Sequence, residues 1–230
     1  MRYRKLSVIV PVYNERSTVA EVVRRARSVD LPLERELIVV DDGSTDGTRD
    51  VLPALQDSKV RVVSHPHNRG KTAAIRTGLG HATGDLVLIQ DADLEYDPED
   101  WPKLLAPVLE GRARVVYGSR FTGSRRNMLF WSDVGNRFLT ALANVLYNAR
   151  LSDMETCYKL FDRRALDGIA LRSERFGFEP EVTAKLLRSG ETIHEVPISY
   201  DGRSRQEGKK ISWRDGVETV RILVACRLGR

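Results

Sequence analysis

Short apolar runs alternating with helical patterns constrain this chain more than any other feature. Residues 6–13 form a β-rich run, and residues 17–28 follow with Val19, Val22, Val23 and Ala26 on one helical face. Residues 36–40 read as the next strand, then a turn over 41–47 and a helix over 48–56. A strand over 60–64, a helix through Leu79, a strand over 85–90, a helix over 97–109 and a strand over 114–117 continue the rhythm. Such alternation predicts an α/β fold, with a mostly parallel central sheet flanked by helices.

After Gly118 the pattern changes. An apolar cluster over 128–131 precedes a strongly apolar helix over 135–148, a helix over 178–188 and a strand over 191–200. A basic loop over 201–210 leads to a last amphipathic segment, with Trp213, Val217, Val220, Leu223, Val224 and Leu228 at helical spacing. No repeat, linker or low-complexity tract interrupts it. The expectation is one domain over 1–230, with a nucleotide-binding half (1–117) and an acceptor-binding half (118–230).

Charge separates the halves further. Residues 1–115 carry 17 basic against 18 acidic side chains, and residues 116–230 carry 20 against 14. The second half is expected to meet something anionic. Nothing in it reads as a nucleic-acid motif. Two cysteines, Cys157 and Cys226, make no disulfide framework and fit a reducing, cytoplasmic compartment. No apolar run reaches the ~18 residues of a membrane span. The basic start before Leu6 superficially resembles a signal peptide, but its apolar run is short, contains Pro11 and lacks a cleavage site.

Ligands of an open parallel sheet sit at the carboxyl ends of its strands. Four strand ends deliver Asn14 and Glu15, then Asp41 to Gly47, then Asp91, Asp93 and Glu95, then Ser119 and Arg120. Asp91-Ala92-Asp93 is the sharpest unit: two carboxylates one residue apart, directly after a strand, suit one hard cation such as Mg²⁺ or Mn²⁺. Asp41 is placed to accept hydrogen bonds from a nucleobase. Residues 65–72 nearly spell a phosphate-binding P-loop, but His65 stands where the first glycine belongs. His65 and His67 lack partners at zinc spacing.

Pro11-x-Tyr13-Asn14-Glu15, Asp41-Asp42-Gly43-Ser44-x-Asp46-Gly47-Thr48, Asn68-x-Gly70-Lys71, Asp91-x-Asp93 and Gly118-Ser119-Arg120 together resemble the family 2 glycosyltransferases. Farther on, Asn136-Arg137, Asp153-Met154-Glu155-Thr156, Phe176-Gly177-Phe178-Glu179 and Val196-Pro197-Ile198-x-Tyr200 through Gly208-Lys209-Lys210 resemble the dolichyl-phosphate mannose synthase branch. The resemblance implies a Rossmann-like GT-A fold. It also implies metal-dependent, inverting transfer of a sugar from a nucleotide-sugar donor of the GDP-mannose or UDP-glucose type to a polyprenyl phosphate.

By position, Pro11, Tyr13, Glu15, Asp41, Gly70, Lys71 and Asp91 would bind nucleotide, while Asp91, Asp93 and Glu95 would hold the metal. Arg120, Arg137, Arg203, Lys209 and Lys210 would grip the acceptor phosphate. Asp93, Asp153 and Arg120 would be catalytic, with Asp153 the first choice for any base and Glu155 and Glu179 behind it. An ionised phosphate acceptor needs no base, whereas a hydroxyl acceptor does. The expected enzyme visits the cytoplasmic face of a membrane peripherally, through residues 128–131 and the last helix. Alternatives are the same donor chemistry on a soluble hydroxyl acceptor, a P-loop-like phosphotransferase, and a non-catalytic nucleotide-sugar binding protein.

Overall fold

β1 (Lys5–Val12) is a strand whose residues Leu6 to Val10 are all buried, which requires neighbours on both edges. β2 (Glu34–Asp41) pairs with it in parallel on one side and β4 (Leu86–Ile89) on the other. β3 (Val60–Ser64) adds beyond β2, again in parallel. Between these strands lie α1 (Val19–Ser28), the single turn α2 (Thr48–Val51) and α3 (Lys71–His81). α1 turns the expected Val19, Val22, Val23 and Ala26 inward. The computed structural model describes residues 3–203 and 213–229.

The complete sheet has seven strands in the order β3-β2-β1-β4-β7-β5-β8. α4 (Trp101–Leu109) precedes β5 (Val115–Ser119), and β8 (Ile193–Pro197) lies parallel to β5. β7 (Lys159–Asp162), which sequence pattern alone does not pick out, inserts between β4 and β5 and runs antiparallel to both. Its reversal matters for function. An antiparallel strand begins at the edge where its neighbours end, so the segment before β7, residues 153–158, is delivered to the carboxyl ends of β4 and β5. The sheet thus draws strands from both sides of Gly118.

The remaining elements are α5 (Phe130–Tyr147), α6 (Phe178–Arg188), α7 (Trp213–Arg227) and a small two-stranded ladder of β6 (Arg125–Arg126) with β9 (Tyr200–Asp201). Four expectations shift. The strand foreseen over 191–200 is β8 and β9, which belong to different sheets. The helix foreseen over 48–56 passes into a 3₁₀ turn, Leu52–Leu55, where Pro53 withholds an N–H. The cluster at 128–131 runs into the first turn of α5 instead of standing apart. The apolar stripe of α7 divides: Leu223 and Cys226 pack on Ala143, Met154 and Ala184, while Val217, Val224 and Leu228 face outward. Adjacent positions such as Leu223 and Val224 point about 100° apart on a helix and cannot both face the core. Among the described residues, no helix is long and apolar enough to cross a membrane.

Candidate active site at the carboxyl edge of the sheet

The strand order reverses between β1 and β4, the switch point at whose carboxyl edge open α/β sheets bind ligands in a crevice. On the β1–β2 side the walls are locked by turn chemistry. Asn14, at φ 53°, donates its N–H to Ser44 Oγ (2.9 Å) and accepts from Thr45 N (2.8 Å). Asp41 is fully buried; its Oδ1 accepts from Ser44 N (3.1 Å) and its Oδ2 from Arg49 Nε (2.8 Å). Pro11 lies opposite Val40 at the end of β1 and, like Tyr13, is half-buried beside these turns.

Asp42, unassigned by sequence reasoning, organises the next loop. Its carboxylate takes the N–H groups of Arg69 (2.9 Å) and Gly70 (2.7 Å) and lies 2.7 Å from His65 Nδ1. Thr77 Oγ1 holds the other ring nitrogen of His65 at 2.9 Å, so the imidazole is a buried strut and not a ligand. Gly70, at φ 92°, lies against the backbone of Arg175, where any Cβ would collide. Thr72 donates its N–H (3.0 Å) and its hydroxyl (3.1 Å) to the Arg175 carbonyl. That carbonyl closes the start of α3, and with it the phosphate cradle that a P-loop reading requires.

Beyond β4 the carboxylates gather cations of the protein itself. Lys71 Nζ bridges Asp91 Oδ1 (2.8 Å) and Glu179 Oε1 (2.8 Å). Burial opposes the charge of this lysine, but Asp91, Cys157 and Glu179 outweigh it and hold the pKa well above the usual value. Arg203 reaches back from the segment after β9 to Asp93 (2.9 Å), Glu15 (3.1 Å) and Glu95 (Nε to Oε1, 3.5 Å). Glu95 also accepts from Tyr200 Oη (2.7 Å) and the N–H of Arg203 (3.0 Å). Burial first, then the charges of Asp91 and Glu95, push the Asp93 carboxyl up to about 7.

Among the described residues, no three His, Cys, Asp or Glu side chains converge as a ready ligand set. Asp91, Asp93 and Glu95 lie along one loop, but Asp91 faces Lys71 whereas Asp93 and Glu95 face Arg203. Their chemistry nonetheless fits a hard cation. The donors are all oxygen, and Asp93 and Glu95 are neutralised through one guanidinium that a divalent ion can replace. Lys209 and Lys210, expected at the acceptor phosphate, lie outside the described residues.

The β5 side differs from expectation. Arg120 does not face an open acceptor site. It clasps Asp153 through Nε–Oδ2 (2.7 Å) and Nη2–Oδ1 (2.8 Å), and its N–H adds a third bond (3.0 Å). Both side chains are buried, and Glu195 fixes the loop by accepting from Ser152 N (2.7 Å) and Asp153 N (3.0 Å). Both oxygens of Asp153, the first choice for a base by sequence position, are thus engaged by Arg120. Arg137 is largely exposed on α5, tied to Asp133 (2.7 Å), with its guanidinium 4.6 Å from the Phe121 ring centre. Arg125 (5.4 Å) and Arg120 (6.0 Å) approach the same ring. Phe121 and Arg125 carry no motif, and only their folding onto α5 reveals them.

An open α/β sheet with paired carboxylates beyond β4 and an arginine cluster beyond β5 is the layout of a GT-A transferase. The family model described as Glycosyl transferase family 2 matches residues 7–169, and the chain belongs to that family. It is a glycosyltransferase. Its fold is similar to that of glucosyl-3-phosphoglycerate synthase from Mycobacterium tuberculosis. The complex of that protein with phosphoglyceric acid matches at TM-score 0.76 and 23% identity, over 98% of this chain and 79% of that one. The complex with Mn²⁺, UDP and glucosyl-3-phosphoglycerate matches at 0.75 and 22%, over 98% and 79%. The complex with Mg²⁺ and UDP matches at 0.74 and 23%, over the same shares. These likenesses lend no support to the dolichyl-phosphate mannose synthase branch.

Proposed function

We propose that the protein moves a sugar from a nucleoside diphosphate donor, with UDP-glucose the first choice, to a hydroxyl of a soluble, phosphorylated acceptor, with the help of Mg²⁺ or Mn²⁺. The observation that carries this reading is two unlike clusters that follow strands of one sheet at its carboxyl edge: carboxylates beyond β4 and guanidinium groups around Phe121 beyond β5. A diphosphate with its cation suits the first edge and an acceptor anion the second. The similar synthase is seen in complex with UDP and Mn²⁺ or Mg²⁺ and in complex with phosphoglyceric acid, which supports a small phosphorylated acceptor over a prenyl phosphate. A polyprenyl phosphate and a membrane surface remain without such support.

In this mechanism Asp41 and the turn beside Asn14 receive the base and ribose, with Pro11, Tyr13 and Glu15 lining the approach. Asp91 and Asp93 would hold the cation, with Glu95 beside them, once Arg203 releases Asp93 and Glu95. The cation, when bound, offsets the charge that builds on the departing diphosphate. Lys71 keeps Asp91 oriented through its bridge to Glu179. Arg137 and Arg125 hold the acceptor phosphate, with the buried Arg120–Asp153 pair fixing the loop behind them.

The test offers UDP-glucose or GDP-mannose with Mn²⁺ to the purified protein, together with 3-phosphoglycerate or a polyprenyl phosphate. Glycosylated phosphoglycerate, formed only with the UDP sugar and abolished by chelation, is the expected product. Transfer to the prenyl phosphate alone would overturn the acceptor assignment.

A further inference from the structure

Transfer to a hydroxyl needs a group to take its proton, and the carboxylates at the crevice differ in whether they are available to do so. Asp91 and Glu179 are bound to Lys71, Asp93 to Arg203 and Asp153 to Arg120. Glu155 stands apart. It is half-buried, its Oε1 is shut away from water, and among the described residues that oxygen has no hydrogen-bond partner. A buried, unmatched carboxylate oxygen is costly. The hydroxyl of the adjacent Thr156 is likewise buried without a partner among the described residues, so two neighbouring polar groups on this loop are left for a substrate to satisfy.

We propose that Glu155 is the general base of the reaction, a role resting on the hydroxyl-acceptor reading above. Glu155 belongs to the loop that antiparallel β7 brings to the carboxyl edge, two residues from Asp153 in sequence. The charged groups around it are Glu179, Lys159, Arg120 and Asp153. Lys159 is committed elsewhere: its ammonium donates to the carbonyls of Met154 (2.8 Å) and Thr156 (2.5 Å) and lies 4.1 Å from the Tyr117 ring centre. The lysine therefore braces the loop that carries Glu155 without forming an ion pair with it. Burial first, then the charge of Glu179, raises the Glu155 carboxyl to about 7. That value suits a base working near neutrality.

The step balances as follows. Glu155 takes the acceptor O–H proton while the acceptor oxygen bonds to the anomeric carbon. The bond from that carbon to the diphosphate oxygen breaks, and the nucleoside diphosphate leaves with the electron pair. Glu155 then passes its proton to water.

The test compares wild type with Glu155→Gln, using UDP-glucose, Mn²⁺ and 3-phosphoglycerate. The variant is expected to lose about 10²-fold or more in kcat with little change in acceptor KM or UDP affinity. At saturating Mn²⁺, which holds Asp93 ionised, the wild-type rate should rise with pH through an apparent pKa near 7, and the variant should lack that limb. A merely structural glutamate would leave the limb in place. The fold should survive, because a neutral amide removes repulsion from Glu179; its Tm at pH 8 should equal or exceed that of wild type. An active wild type with an equally active Glu155→Gln variant would sink the assignment while leaving the acceptor reading intact. Transfer by wild type only to a prenyl phosphate, or to neither acceptor, would remove the acceptor reading and this base with it.

Discussion

The two edges of the crevice are built on different principles. On the β1–β2 side the carboxylates of Asp41 and Asp42 are matched by backbone N–H groups and neighbouring side chains from nearby loops, and the walls are close to rigid before any ligand arrives. Beyond β4 and β5 the partners come from far along the chain: Arg203 on Asp93, Glu179 on Lys71, Asp153 on Arg120. Beyond β4 charge is balanced through Arg203, for which a metal can compete, whereas beyond β5 the Arg120–Asp153 pair is buried and fixed, and Glu155 is left unmatched. A rigid recognition wall faces a β4 wall whose ion pairs are exchangeable. The contrast suits an enzyme that must hold one nucleotide tightly while its metal and acceptor come and go.

The largest effect should come from the exchangeable wall. Asp91→Ala removes a carboxylate oriented by Lys71 and should lower transfer by about 10³-fold, or roughly 4 kcal/mol in the transition state. Metal-dependent UDP binding, read by calorimetry with and without Mn²⁺, should disappear with it. Retained metal-dependent binding would place the cation elsewhere. Next comes Asp153→Asn. It leaves the Arg120 guanidinium buried without its counter-charge, and such a loss costs about 3–5 kcal/mol of stability. Denaturant melts should show a lowered midpoint. A variant as stable as wild type but inactive would restore Asp153 as a direct participant.

Legibility in the sequence follows the same divide. The first five strands and α1 are readable because their apolar runs and helical periodicity are local. So is the convergence of Asp41, Asp91 and Asp93 on one edge, since a parallel sheet sends every strand end the same way. β7 escaped because it is four residues long, begins with a lysine, and gains its strand identity only from two antiparallel neighbours. Without β7 nothing places Glu155 at the crevice or binds Asp153 to Arg120. Arg203 was expected at the acceptor phosphate, yet its guanidinium rests on Glu15 and Asp93, 188 and 110 residues away in sequence. No spacing rule encodes such a contact.

A third, smaller effect tests how exchangeable the β4 wall is. Burial and the charges of Asp91 and Glu95 raise Asp93 to about 7, above its unfolded value of 3.8. The stability this group contributes is therefore fully present below about pH 4 and lost as pH rises through about 7. Metal-free protein should melt lower at pH 8 than at pH 5.5 on this account. Added Mn²⁺ should raise Tm more at pH 8, where no proton competes for the site. Arg203→Gln takes away the competing cation. It should tighten Mn²⁺ binding by roughly tenfold, about 1.4 kcal/mol, while lowering the Tm of the metal-free protein. Unchanged Mn²⁺ affinity would mean that Arg203 and the metal do not share these carboxylates.

The smallest effect belongs to the outer rim of the β5 edge. Arg137 is mostly exposed, and its pair with Asp133 spans a single helical turn of α5. Exposed pairs of this kind contribute about 0.3–0.5 kcal/mol, so Arg137→Ala should leave Tm and donor affinity nearly unchanged. Its guanidinium nonetheless lies over Phe121 with Arg125, the cluster to which the proposed function assigns the acceptor phosphate. Loss of one such charge-assisted contact should raise the acceptor KM several-fold, more at low salt than at high, with kcat largely preserved. A fall in kcat at constant KM would instead assign Arg137 to the transition state. The exposed rim would then belong to the chemistry, and the line between rigid and exchangeable walls would have to be redrawn through α5.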